Sequence, residues 1–188
     1  AGAYSAMMNG GVYNEPHTIE KIVMQDGTVY YPVNQNRKVL SSGAAWLVTR
    51  LLYNNVYGPY FNYMQVLKSE YPVFAKTGTT DWGTDGVQYG IPKGAAKDKW
   101  MISNTTQYTN AIWVGYDKAV SGENCYFSAA KSSLNIPGNL NRIILDSEEE
   151  VVGIEALKED IPKPSDVEDI TYVYGSYPYA KFEAGMPE

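Results

Sequence analysis

Small and apolar positions along Ala1-Gly2-Ala3-Tyr4-Ser5-Ala6-Met7-Met8 fall on one helical face, and Asn9-Gly10-Gly11 stops the helix with residues that tolerate positive φ. Val12-Tyr13 then starts an extended segment. Thr18–Met24 and Val29–Val33 read as two strand-like arms around Gln25-Asp26-Gly27-Thr28, a surface hairpin with an Asp-Gly turn. Ser41 or Ser42 suits an N-cap. Ala45, Trp46, Val48, Thr49, Leu51, Leu52 and Val56 behind it predict a helix with a broad buried face, ended by Asn54-Asn55 and Gly58-Pro59. The aromatic stretch Tyr60–Tyr71 shows no clear period.

From residue 72 the pattern becomes extended. Pro72-Val73-Phe74-Ala75 is an apolar run that leads into Lys76-Thr77-Gly78-Thr79-Thr80. Lys99–Thr105 and Asn110–Tyr116 are two further strands joined by a tight connection. Three consecutive strands predict an antiparallel meander. Asp81–Asp98, with glycines at 83, 86, 90 and 94, is a long turn-rich excursion of the kind that is usually functional or mobile. Asn139–Ser147 predicts a helix entered from Pro137-Gly138. Gly153, Pro162 and Pro164 mark a boundary that divides the chain into residues 1–152 and an acidic, Pro-containing segment or linker, 153–188. Val167–Tyr174 suggests one further strand in that tail.

Charge and composition then narrow the function. The net charge of −6 and the absence of any basic stripe argue against a nucleic-acid partner. Ten Asp and Glu between Asp146 and Asp169, against Lys158 and Lys163, read as a solvated face. Seventeen tyrosines suit half-buried strands and wet surfaces. Cys125 is the sole cysteine and His17 the sole histidine. That excludes an internal disulfide, most zinc sites, and a Ser-His-Asp triad with a histidine to spare. No run approaches eighteen apolar residues. The opening Ala1-Gly2-Ala3-Tyr4, without Met, reads as cut from something longer.

Lys76-Thr77-Gly78-Thr79 is where chemistry concentrates. An ammonium, two hydroxyls and an approachable backbone at a glycine suit a carboxylate and a developing oxyanion. A lone Lys-Thr-Gly is more often a strand end followed by a turn, so context decides. Ala1–Tyr4 through Asn9–Tyr13, Pro16-His17-Thr18, Lys76–Thr80, Trp113-Val114-Gly115-Tyr116-Asp117 and Lys163-Pro164-Ser165 stand in an order that resembles the C-terminal part of the transpeptidase domain of class A, bifunctional penicillin-binding proteins, over roughly residues 1–165. The family signature is Ser-x-x-Lys, then Ser-x-Asn, then Lys-Thr-Gly. Only the third stands in its proper place here.

The resemblance implies an α+β fold, an antiparallel sheet with helices packed on its faces. It implies a D,D-transpeptidase that works through a serine acyl-enzyme without a cofactor. The nucleophilic Ser and base Lys would lie on a segment upstream, in the N-terminal part of the same protein. The whole would be anchored at the extracytoplasmic face of the bacterial membrane by a segment absent here. Lys76 would serve the active-site hydroxyl network. Thr77 and Thr79 would hold the carboxylate of a D-Ala-D-Ala stem peptide or a β-lactam, the Thr79 N–H would be an oxyanion donor, and Gly78 would keep the strand open. Thr80 and Trp82 would flank the substrate. For Trp82 and Tyr89, cleft rim and aromatic anchor of a solvated loop are equally good readings. A β-lactamase or D,D-carboxypeptidase relative, and a non-catalytic wall-binding module, stand as alternatives.

Ser128-Ala129-Ala130-Lys131 and Ser133-Leu134-Asn135 also fit Ser-x-x-Lys and Ser-x-Asn. Both follow Lys-Thr-Gly and lie two residues apart, where an acyl-transfer site needs separate elements converging. They are expected to be coincidental.

Overall fold

A computed structural model of the chain describes residues 1–33, 35–59 and 62–171. Helix α1, Gly2–Met8, ends at Asn9, and Gly10 and Gly11 both take positive φ. Gly11 admits no side chain, because a Cβ there would run into the Leu40 carbonyl oxygen. Strand β1, Val12–Asn14, pairs antiparallel with β4, Asn36–Lys38. Between them, β2 (Ile22–Val23) and β3 (Val29–Tyr30) form the expected hairpin. Its turn is held by Asp26 Oδ1, which accepts from the Thr28 N–H, and by Gly27 at φ 85°. Only two residues pair on each arm, fewer than the alternation suggests. Both faces of the ribbon are exposed, and among the described residues no third strand or packed helix supports it.

Helix α2, Ser42–Tyr57, is capped by Ser41, whose Oγ accepts from the Ala44 N–H. Its buried stripe of Ala45, Thr49, Leu52 and Val56 follows the helical period. The segment with no clear period contains a 3-10 helix, Asn62–Leu67, which sends Met64 and Leu67 into the core.

The meander is present as β5 (Phe74–Asp81), β6 (Ala96–Asn104) and β7 (Thr109–Gly115), with β6 in the middle. β6 starts three residues before the apolar pattern suggests, because Ala96-Lys97-Asp98 pair with the far end of β5. The β6–β7 turn spans residues 105–108. Thr105 Oγ1 accepts there from the Gln107 and Tyr108 N–H groups. A short helix α3, Ala129–Ser133, precedes α4, Ile136–Val152. Helix α4 starts earlier than Asn139, because Asn135 at φ 46° caps it and Pro137 sits in the first turn, where a missing N–H costs nothing. A final turn of helix, α5, covers Ile154–Leu157.

Alternation along β5 sorts the sheet into two faces. Ala75 and Met101 point to the side covered by α4 and join Val56, Met64, Leu67, Tyr71, Val73, Leu145 and Leu157 in one core. Phe74 points the other way, where its ring meets Tyr53 and the Arg50 guanidinium of α2. Behind β6 a buried polar chain ties sheet to helix. Ser103 Oγ donates to Asn141 Oδ1 (2.7 Å), Asn141 Nδ2 donates to the Met101 carbonyl (3.2 Å), and Asn110 Nδ2 donates to Glu148 Oε1 (2.9 Å).

The composition break at Gly153 is not a break in packing. Leu157 is fully buried, and Arg50 forms a two-pronged ion pair with Asp160 at 2.7 Å. Trp46 Nε1 donates to the Ile161 carbonyl, and Asp166 Oδ2 accepts from the Gly43 N–H. The further strand suggested at 167–174 falls partly outside the described residues, and Val167–Thr171 form none. Among the described residues no helix is long and apolar enough to cross a membrane.

Candidate active site

Lys76, Thr77, Gly78, Thr79 and Thr80 all lie on β5, the outer strand of the meander. The Ala75 carbonyl accepts from Asn55 Nδ2 at 2.9 Å, so it points away from β6 toward α2. Main-chain groups of alternate residues share a direction. The N–H and C=O of Thr77 and Thr79 therefore also face outward, along an edge that no described strand covers. Asn55 closes that edge at Ala75 and leaves it open beyond. Lys76 Nζ reaches round to the Thr77 carbonyl at 2.8 Å.

Side chains divide by face. Thr77 and Thr79 lie with their cross-strand partners Met101 and Lys99, while Lys76, Gly78 and Thr80 lie with Ile102, Trp100 and Asp98. The Thr79 side chain is exposed and that of Thr77 half-buried. At Gly78 a methyl group would stand 3.3 Å from Trp100 Cβ, a tight fit beside the indole. The Thr80 hydroxyl is engaged, donating to Asp98 Oδ2 at 2.5 Å, and Trp113 Nε1 donates to the other oxygen at 3.0 Å. Trp113 thus folds over Gly115, where a Cβ would meet Asp98 Oδ1 at 2.6 Å and the indole at 2.7 Å.

Trp82 leaves β5 just after an irregularity in register at Thr80/Asp81. Its Nε1 donates to the Cys125 carbonyl at 2.7 Å, and Lys97 Nζ lies 4.9 Å from its ring. Phe127 forms a bridge with Ala96. The excursion 82–95 is thereby fastened to the segment around residues 125–127. Tyr89 is half-buried in the 3-10 turn Val87–Tyr89 of that excursion.

The second Ser-x-x-Lys and Ser-x-Asn are accounted for by capping. Ser128 Oγ accepts from the Lys131 N–H at the start of α3, and Lys131 Nζ donates to the Tyr116 hydroxyl. Ser133 Oγ donates to the Ala130 carbonyl. Asn135 caps α4 and donates to the Tyr63 carbonyl. His17 is exposed on the ribbon with its Nδ1 near the Glu15 carbonyl. Among the described residues no three His, Cys, Asp or Glu side chains converge to hold a metal ion.

A sequence model of the penicillin-binding protein transpeptidase domain matches residues 1–136. The chain belongs to that family. Among curated relatives, penicillin-binding protein 1A/1B of Bacillus subtilis is 37% identical over 124 residues, 65% of this chain and 13% of that protein. Penicillin-binding protein 1F of the same organism is 31% identical over 137 residues, 70% of this chain and 17% of that protein. Penicillin-binding protein 1A of Mycobacterium tuberculosis is 27% identical over 180 residues, 89% of this chain and 19% of that protein. The transpeptidase chain thus spans about an eighth to a fifth of these relatives' length. Among solved structures, penicillin-binding protein 3 of M. tuberculosis in complex with aztreonam has a TM-score of 0.54 at 22% identity, covering 80% of this chain and 34% of that one. The same protein in complex with ampicillin has a TM-score of 0.51 at 24% identity, covering 87% and 36%. The fold class implied by the resemblance is therefore the observed one.

Sequence reasoning placed Lys99 in a strand and Asp98 at the end of a loop, without assigning either to the site. The register that sets them opposite Thr79 and Thr80 is hidden by the excursion between the strands. Counting back from the tight 105–108 turn would have recovered it only with the pairing already known.

Proposed function

We propose that this chain is the substrate-anchoring wall of a D,D-transpeptidase that cross-links peptidoglycan stem peptides through a serine acyl-enzyme and is acylated by β-lactams. The observation that carries the reading is the open edge of β5, where Thr77 and Thr79 turn their main-chain groups outward and carry hydroxyls on one face. Family membership supplies the reaction class. In this reading the two hydroxyls hold the terminal carboxylate of a D-Ala-D-Ala stem or a β-lactam, and the Thr79 N–H stabilises the tetrahedral oxyanion. Lys76, on the opposite face, places its charge toward the hydroxyl network of the nucleophile. Gly78 leaves room beside Trp100. Thr80 and Trp82 flank the cleft. Their polar hydrogens go to Asp98 and Cys125, so they offer a ligand main chain and indole face.

The nucleophilic Ser and base Lys belong to a separate, upstream segment, the N-terminal part of the same protein. The complete protein works at the extracytoplasmic face of the cell membrane. A fluorescent penicillin should label the full-length protein covalently, and the label should persist over many minutes. No label with an intact upstream Ser-x-x-Lys would overturn the reading. A label lost within seconds would favour the β-lactamase or carboxypeptidase alternative. Residues 1–188 alone should take up no label and should aggregate through their uncovered strand edges.

A further inference from the structure

The site contains a second cation. Lys99 stands directly opposite Thr79 in the β5–β6 register, and Met101, two residues on, stands opposite Thr77. Directly paired residues of an antiparallel sheet have Cβ atoms about 5 Å apart, and diagonal neighbours about 7 to 8 Å. Lys99 therefore shares the face of both hydroxyls and is within reach of an anion held between them. Lys76 is on the other face.

The surroundings hold the Lys99 ammonium in place without neutralising it. Its Nζ lies 5.5 Å from the centre of the Tyr63 ring and 5.9 Å from that of Phe127. Such contacts stabilise a cation but leave its N–H donors without a strong acceptor. Burial holds the ammonium below the usual lysine value, and no carboxylate counters that shift. Among the described residues Lys99 forms no ion pair. The neighbouring Asp98 points to the opposite face, where Thr80 and Trp113 occupy its two oxygens. The hydroxyl of that same Tyr63 is buried with no hydrogen-bond partner. A partly desolvated lysine without a counter-ion, beside two hydroxyls on an open edge, is arranged for an anionic ligand.

We infer that Lys99 is a specificity-determining residue that reads the carboxylate of the substrate or β-lactam together with Thr77 and Thr79. This deepens the acyl-transfer reading and rests on it. Lys76 then serves the bond-forming side of the strand and Lys99 the anchoring side. The ligand's negative charge, and not only its shape, is what the site selects.

The test uses the full-length protein and a matched pair of penicillins, one with its free carboxylate and one as the neutral methyl ester. Lys99→Met keeps the apolar stem between Tyr63 and Phe127 and removes the charge, while Lys99→Arg keeps the charge. The readout is the second-order acylation rate, followed by mass spectrometry of the intact acyl-enzyme. Charged hydrogen bonds of this kind are each worth roughly a tenfold effect or more. K99M is expected to slow acylation by the free acid about tenfold and leave the ester within about twofold, with K99R intermediate. Equal loss for acid and ester in K99M, or no loss for either, overturns the inference while leaving the acyl-transfer reading intact. A wild-type protein that takes up neither compound removes that reading, and this inference with it.

Discussion

Replacing Asn141 by Ala should loosen the sheet from α4 in a way that Ser103 can diagnose. Both side chains are fully buried, and each is the other's partner. Asn141→Ala leaves the Ser103 hydroxyl proton without its acceptor, at a cost of roughly 1–3 kcal/mol. Removing the amide also leaves a small cavity worth about 1 kcal/mol. The Met101 carbonyl loses a second donor but keeps its place in the sheet, so its share is smaller. The total is about 3 kcal/mol, roughly a hundredfold in the local opening equilibrium. Ser103→Ala orphans Asn141 Oδ1 and should cost about 1–2 kcal/mol. In the double variant the orphaned groups vanish together. The effects should therefore fall short of their sum by about 1–2 kcal/mol. Amide hydrogen exchange of peptides covering residues 96–115, measured in the full-length protein, reads these opening free energies directly. Strict additivity, to within about 0.5 kcal/mol, would refute the claim that this bond joins β6 to α4. So would an Asn141→Ala effect below that size.

Three further outcomes follow from the geometry. Gly115→Ala should cost about 2 kcal/mol and break the Trp113–Asp98 hydrogen bond, visible as a change in near-ultraviolet circular dichroism, because the added Cβ has no room beside Asp98 and the Trp113 indole. Burial raises the Glu148 carboxyl above its ordinary 4.5, with the Asn110 hydrogen bond opposing in part, and its Oε2 has no partner. The unfolded chain therefore ionises first. The penalty is absent below the unfolded value, grows as pH rises from there through the raised folded value, and is complete above it. Thermal melts of Glu148→Gln relative to wild type should accordingly improve on going from pH 4 to pH 8, and a pH-independent difference would contradict this. Ser128→Ala should leave β-lactam acylation unchanged and cost about 1 kcal/mol as a lost helix cap, and its abolition of acylation would show the second Ser-x-x-Lys to be catalytic.

What could be read from the chain is what depends on local period. The apolar stripe of α2 follows the helical period, the Asp-Gly turn carries its own local signal, and the β-branched and aromatic runs of the meander mark its strands, all visible without partners. Long-range partners leave no such trace. Asp160 and Asp166 look like members of a solvated acidic run. Their partners are Arg50 and the Gly43 N–H, more than a hundred residues away. The early start of β6 was obscured because Ala96, Lys97 and Asp98 read as the end of the turn-rich excursion, although Lys97 and Asp98 each meet a group beyond their own strand. At the site itself the residue types of Lys76–Thr79 carried the chemistry. The distribution of charge over two faces became visible only with the register.

The fastening of Trp82 to Cys125, with the Ala96–Phe127 bridge beside it, has a consequence for how this region can change. The thirteen residues from Gly83 to Ala95 begin and end beside the same segment, residues 125–127, so the span between them works like an interchangeable cartridge. Doubling its length would add only about 0.6 kcal/mol of closure entropy, and the clamp would keep that disturbance from reaching Thr79. Under the proposed function, rewriting this stretch would tune which acceptor strands approach while the Thr77 and Thr79 hydroxyls stay where they are.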